Sequence, residues 1–452
     1  MINALKSSKG LEISKEIYRI AMPITVSSAV DVLVQVLNTL FVGYFPDPDA
    51  LYIISLYLPL SFLLVSISEA FQISIQVSVA RRASADDAKT SVKSSVTSWF
   101  LMSIAASVFI AVLVSFTISG LINFFHVNPA VRQTFVLFVK GMAWTAALVQ
   151  INLLISSIMR GYGRVRFAML LNLAYAVTNI AAVFIFGFVV KSDVFSLVYA
   201  NLATSSVFII IGLIALVRLG LASRPLRHQI INRETLVTLL RIGIPVALSY
   251  LLIFLSTSVF TRIVVPFGHD AVAGFGVSYR IQTFVMLPAL SFGYALGILV
   301  NQWVGRKEFE RAYRGVVYGI RNVYLLYLVL ASALYVLIRP LTDVSTSSGH
   351  VATYIYDYLH IVTPSYVLMG ATLTSLMLLE QLNRGFVALM MNAIYFLGIG
   401  SIGWVLTTQY HQLNLFFWTI AGANVFGISA VFVARRICKR ILLSTTAPSV
   451  KS

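Results

Sequence analysis

Asp31, Gln35 and Asn38 stand four and three residues apart in an otherwise apolar run, so all three share one face of a helix, with Ser27 one turn earlier. The next apolar run holds Glu69, Gln72 and Gln76 at spacings of three and four, a second polar face. In a hydrocarbon layer a charged side chain costs about 2.5–3.5 kcal/mol on insertion scales, so each carboxylate marks a functional candidate. Asp31 and Glu69 suit the binding and release of a proton or a sodium ion in a water-accessible cavity. The amides suit the same cavity, or the plainer task of hydrogen-bonding one helix to another. Further along, Asn172 and Asn179 lie seven apart with Tyr175 between them. Lys140, Arg262, Arg280 and His360 also fall inside apolar runs. Arg262 fits a snorkelling side chain, whereas Arg280 could pair with Asp357 or face the cavity.

The elements that must position these groups are long apolar helices. Of the 452 residues, 59% are hydrophobic and only 11% charged, against about 25% charged in soluble domains. A spanning helix needs roughly 20 mostly apolar residues, and twelve runs meet that need: about 16–43, 51–79, 94–120, 132–158, 165–189, 193–218, 237–266, 271–303, 313–342, 351–380, 385–408 and 412–437. Pro364 lies inside the tenth run and predicts a kink that can act as a hinge. Pro23 and Pro245 read as helix starts, where proline is tolerated.

The runs form a duplication. Tyr18-Arg-Ile-Ala-Met-Pro23 answers Leu240-Arg-Ile-Gly-Ile-Pro245, 222 residues later. Phe167-Ala-Met-Leu-Leu-Asn172 with Tyr175 answers Val387-Ala-Leu-Met-Met-Asn392 with Tyr395, 220 residues later, an offset that also relates Lys140 to His360. The expected architecture is an all-α integral membrane protein of twelve transmembrane helices. It is arranged as two parallel six-helix repeats around a central cavity. The repeats comprise an N-lobe over 1–222 and a C-lobe over 237–440, joined by a polar linker over 223–236 and followed by a polar tail over 441–452.

Alternate loops carry the base: Arg81 and Arg82, then Arg160, Arg164 and Arg166, then the linker, then Arg306 and Lys307, then Arg384. By the positive-inside rule both termini face the cytoplasm. The net charge of +17 is spread over these short clusters, which suits anionic lipid headgroups rather than a nucleic acid. A single cysteine, Cys438, leaves no disulfide framework. Nothing resembles a cleavable leader, a Walker loop, a metal-binding His-Glu-x-x-His or a nucleophile elbow. The chain therefore does not read as an enzyme, and any active transport would draw on an ion gradient.

Together these residues resemble the multidrug and toxic compound extrusion (MATE) family, within the superfamily that also holds oligosaccharide-lipid flippases. The resemblance spans roughly 14–440. It rests on Ile20-Ala-Met-Pro23, Asn38-Thr-Leu-Phe-Val-Gly43, Ala80-Arg-Arg, Arg160-Gly-Tyr-Gly with Asn179, Gly243-Ile-Pro245, Tyr279-Arg280 and Gly305-Arg-Lys-Glu. It implies two lobes and antiport of organic, often cationic compounds against protons or sodium, with no other cofactor, in a monomer of the plasma (inner) membrane.

The chain departs from the family where the family holds its cation. Asn38 stands at the usual aspartate, and the accompanying fifth-helix acid falls at Val183, leaving Asn179. An amide does not titrate. Two explanations follow: the carboxylate has moved along the same face to Asp31, with Glu69 as second acid, or the substrate is anionic or lipid-linked and is held by the buried base. The first is the main expectation. It assigns Asp31, Glu69, Asn38 and Asn179 to ion coupling, and Gln35, Gln72, Asn172, Tyr175, Lys140, Arg280, His360 and Tyr395 to the substrate cavity.

Overall fold

The computed structural model describes residues 2–43, 50–83, 88–124, 129–221, 233–345 and 349–443. Most of the linker and the end of the tail lie outside them. The helices of the first repeat are α1 (Ile2–Gly43), α2 (Ala50–Arg82), α3 (Ala88–Phe124), α4 (Arg132–Gly161), α5 (Val165–Phe184) and α6 (Ser196–Arg218). The second repeat follows with α7 (Arg233–Thr238), α8 (Ile244–Val264), α9 (His269–Gly305), α10 (Phe309–Val336), α11 (Ile338–Ser345), α12 (Gly349–Val362), α13 (Tyr366–Leu379), α14 (Gly385–Tyr410), α15 (Leu413–Gly427) and α16 (Ser429–Leu443).

Eleven stretches of the described residues are long and apolar enough to cross a membrane, and one of them, Gly349–Tyr410, runs for 62 residues. At 1.5 Å per residue that stretch is about 90 Å of helix, enough for two crossings. Twelve crossings result, as the apolar runs predicted. Between α12 and α13 the helix is interrupted by a 3₁₀ turn, Thr363–Ser365, with Pro364 at its centre. The missing proline N–H and the ring's steric demand account for the break at that point.

Two prolines behave differently from expectation. Pro23 is buried in the interior of α1, 21 residues after its first residue Ile2, and does not start the helix. Nothing upstream breaks the helix, and Pro23 removes only the hydrogen bond to the carbonyl of Arg19. Thr25 Oγ1 donates to the Ala21 carbonyl (3.0 Å) beside it, a bond that accompanies helix bending. Pro245 likewise follows helical chain: α7 leads through a π turn, Leu239–Gly243, into α8.

The helices form two compact units, and the divisions fall within these leading helices. One unit is Val26–Ile244; the other is Met1–Thr25 with Pro245–Ser452. In the first unit, α4 packs on α2, α3 and α6, around Phe71, Trp99, Ile155, Met159 and Leu216 and around Tyr57, Phe135, Phe138 and Val183. Gly243 seats the approach to α8 against Ala70 and Ser74, where a Cβ would lie 3.0 Å from the Ser74 hydroxyl. In the second unit, α9 packs on α10, α12 and α13. Small residues admit large neighbours there: Gly319 takes the Leu296 side chain, and Gly297 takes the Gln381 amide at 2.0 Å from where a Cβ would stand.

The start of α1 is fixed to this second unit by Tyr18 edge-on to Phe292 (5.1 Å) and by Arg311, whose Nη atoms donate to Glu16 (3.0 Å) and Glu308 (3.1 Å). The three side chains are partly exposed, so the pairing is worth roughly 1 kcal/mol or less. Arg311→Gln should therefore lower the melting temperature of the detergent-solubilised protein by only a few degrees, and by less in high salt.

Candidate functional site

Within Val26–Ile244, polar groups on α1, α2, α4 and α5 come together. Glu69 lies half-buried on α2, and Gln72, one turn on, donates from Nε2 to its Oε1 (3.3 Å). The same amide accepts from Arg160 Nη2 (3.0 Å), which also donates to Ser157 Oγ (2.9 Å). Arg160 stands in the last turn of α4. Asp31 on α1 lies within the electrostatic field of both Arg160 and Glu69, and Tyr175 on α5 lies within that of Asp31. Asp31 and Gln35 stay accessible, one turn apart. The site thus holds two carboxylates and one guanidinium, net −1 with both acids ionised.

Of the residues expected from sequence, Glu69 and Gln72 share these hydrogen bonds; Asp31 lies within electrostatic reach of Glu69, and Tyr175 within that of Asp31. Tyr175 and Ser205 hydroxyls lie 3.0 Å apart, and buried Asn179 donates to Asn201 Oδ1 (3.1 Å). Asn38 Oδ1 is buried and accepts no hydrogen bond, while Asn172 is half-buried. Lys140 is half-buried on α4, 20 residues before Arg160 and so about 30 Å away along the helix. The opposite ends of α4 therefore carry Lys140 and the acidic network.

In the second unit Tyr395 donates to Asn424 Oδ1 (2.7 Å), and Asn424 donates to Ser365 Oγ (2.8 Å). Tyr395 repeats the place of Tyr175: each tyrosine reaches a polar side chain 29 or 30 residues further on. His360 is exposed, stacked on Tyr356 (5.5 Å) and 3.1 Å from the Tyr335 hydroxyl through Nδ1. Arg280 is exposed and does not pair with Asp357, which instead accepts from Asn414 Nδ2 (3.4 Å).

Three groups were not picked out from the sequence. By sequence Arg160 reads as a loop base, yet its guanidinium turns toward Gln72 and Ser157. Gln150 is buried in α4, and neither of its amide atoms is hydrogen-bonded to another protein group. Gln282 accepts from Tyr358 and from Tyr366 (3.2 Å), all three buried. That bond set joins α9 to α12 and α13 across the Pro364 break.

A sequence profile of the family described as MatE matches residues 23–185 and 245–404, the two repeats in register at Pro23 and Pro245. The chain is 24% identical over 365 residues to a probable multidrug resistance protein of Bacillus subtilis, YoeA, covering 77% of each chain. It is 21% identical over 445 residues to the Staphylococcus aureus multidrug export protein MepA, covering 96% of each. Among solved structures, the Vibrio cholerae MATE transporter VcmN in its bent form superposes with a TM-score of 0.89, at 19% identity and 96% and 98% coverage. A superfamily transporter of Pyrococcus furiosus, described by a binding pocket of reverse polarity that suggests a different function, superposes at 0.86, with 19% identity and 95% and 96% coverage. These likenesses establish the twelve-helix fold, and the profile match over both repeats establishes that this chain belongs to the MatE family of multidrug efflux transporters, which are not enzymes.

Proposed function

We propose that this protein is a secondary active antiporter that exports amphipathic organic cations against protons or sodium by alternating access. The observation that carries this reading is the network of Asp31, Glu69, Gln72 and Arg160: two titratable acids, one of them accessible, inside an apolar bundle. Asp31 takes the part that Asn38 cannot, because an amide neither binds nor releases a proton. Glu69 is the second acid, with Asn38 and Asn179 lining the same unit. Gln35, Gln72, Asn172 and Tyr175 supply amide, hydroxyl and ring surface to the substrate, and Pro364 is the hinge. The coupling ion and substrate cation compete for the same carboxylates, so occupation by one expels the other. The basic loop clusters support a plasma (inner) membrane setting with both termini cytoplasmic and anionic lipids around them. One chain carries both repeats, which supports action as a monomer without a nucleic-acid partner.

A second reading, an exporter of an anionic or lipid-linked saccharide, is favoured by one observation: none of Lys140, Arg262 and Arg280 is engaged in an ion pair in the described residues. Uptake of ethidium into inside-out vesicles, energised separately by a proton or a sodium gradient, decides between them. Accumulation under one gradient supports cation antiport and names the ion. Indifference to both gradients removes that support and leaves the anionic substrate as the reading to pursue.

A further inference from the structure

Among the described residues, Arg160 is the base whose hydrogen bonds reach the glutamine beside Glu69. Its Nη2 is held by two neutral oxygens, Gln72 Oε1 (3.0 Å) and Ser157 Oγ (2.9 Å). Gln72 then turns its amide nitrogen to Glu69, so one glutamine fixes the spacing between guanidinium and acid. Gly161, the next residue, brings this end of α4 so close to α2 that a Cβ would stand 2.6 Å from the Gln76 carbonyl oxygen. The backbone that carries Arg160 is therefore seated on the helix that carries Glu69. A guanidinium keeps its charge at any working pH, so its contribution to the site is constant while the acids titrate.

We propose that Arg160 is a valence filter: a fixed internal cation that lets one monovalent cation, and not a divalent one, neutralise the two acids Asp31 and Glu69. The inference rests on the cation-antiport reading and deepens it to a substrate class. With both acids ionised the local charge is −1, which a monocation brings to zero. A dication would leave +1 in a half-buried site next to a guanidinium, an arrangement that low-dielectric surroundings penalise. Without Arg160 the same acids carry −2, and the balance passes to the dication.

Ethidium and propidium test this directly, because they share a phenanthridinium ring while propidium carries a second fixed positive charge. Fluorescence titration of the purified protein gives the ratio of their affinities in wild type, Arg160→Gln and Arg160→Lys. Wild type should favour ethidium. In Arg160→Gln the ratio should move toward propidium by about tenfold or more, the scale of one unit charge at close range in a partly screened site. Arg160→Lys, which keeps the charge and loses the fork, should keep the wild-type preference. If the ratio in Arg160→Gln stays at the wild-type value while ethidium still binds, or if the lysine variant behaves like the glutamine one, the filter is overturned and the residue serves packing alone. If wild type binds neither dye, the cation reading itself falls, and with it this inference.

Discussion

Asp31→Asn abolishes gradient-driven accumulation of ethidium in inside-out vesicles, with a loss of about tenfold or more, equivalent to at least 1.4 kcal/mol of coupling. The substitution keeps shape and one acceptor oxygen but removes the titratable group. Asn38, seven residues along the same face, cannot compensate, being an amide already. Glu69 remains, but its carboxylate accepts from Gln72, which is bound in turn by Arg160, so it is the less available of the two acids. Asp31→Glu, which restores the acid on a longer stem, should recover part of the transport. Protein amount in the membrane must match wild type for the comparison to count. Full accumulation in Asp31→Asn at equal amount would remove Asp31 from the mechanism.

Gly161→Ala destabilises the protein by about 1–3 kcal/mol, the usual cost of forcing a methyl group into a closed contact. The obstacle is backbone: a Cβ would come 2.6 Å from the Gln76 carbonyl oxygen and 3.0 Å from Val79 Cβ, and neither can turn away as a side-chain tip could. The helices must part instead, moving Arg160 away from Gln72. A lowered melting temperature in detergent should therefore come with weakened ethidium binding. At Gly398, where a Cβ would meet nothing, the same change should cost far less. Equal melting temperatures for the two variants would contradict the close seating of α4 on α2.

The crossings were legible because a bilayer imposes a length and an apolar composition that few other constraints override. Pro364 was legible for a similar reason, since the ring breaks the helix wherever neighbours permit it. Pro23 was not, because a proline inside a helix and a proline at its start look alike when the preceding residues are also good helix formers. Asp31 and Glu69 stood out by type alone, as acids in apolar runs. Arg160 did not, because an arginine next to a cytoplasmic loop satisfies the positive-inside rule whether it points to lipid headgroups or into the bundle. Its direction is set by Gly161 and by two acceptors, Gln72 and Ser157, one of them 88 residues away in sequence. The bond of Gln282 to Tyr358 and Tyr366 was hidden for the same reason, since it joins residues 76 and 84 apart on three helical segments.

The most direct measurement is the affinity of the purified transporter for ethidium as a function of proton and of sodium concentration, in wild type and in Asp31→Asn with Glu69→Gln. If carboxylates shared by substrate and coupling ion drive the cycle, raising the coupling ion must weaken ethidium binding, by the reciprocity of linked equilibria. The account predicts that wild-type affinity falls as one of the two ions rises and that the double variant loses this dependence. Wild-type affinity unmoved by either ion, with ethidium still bound, would contradict it.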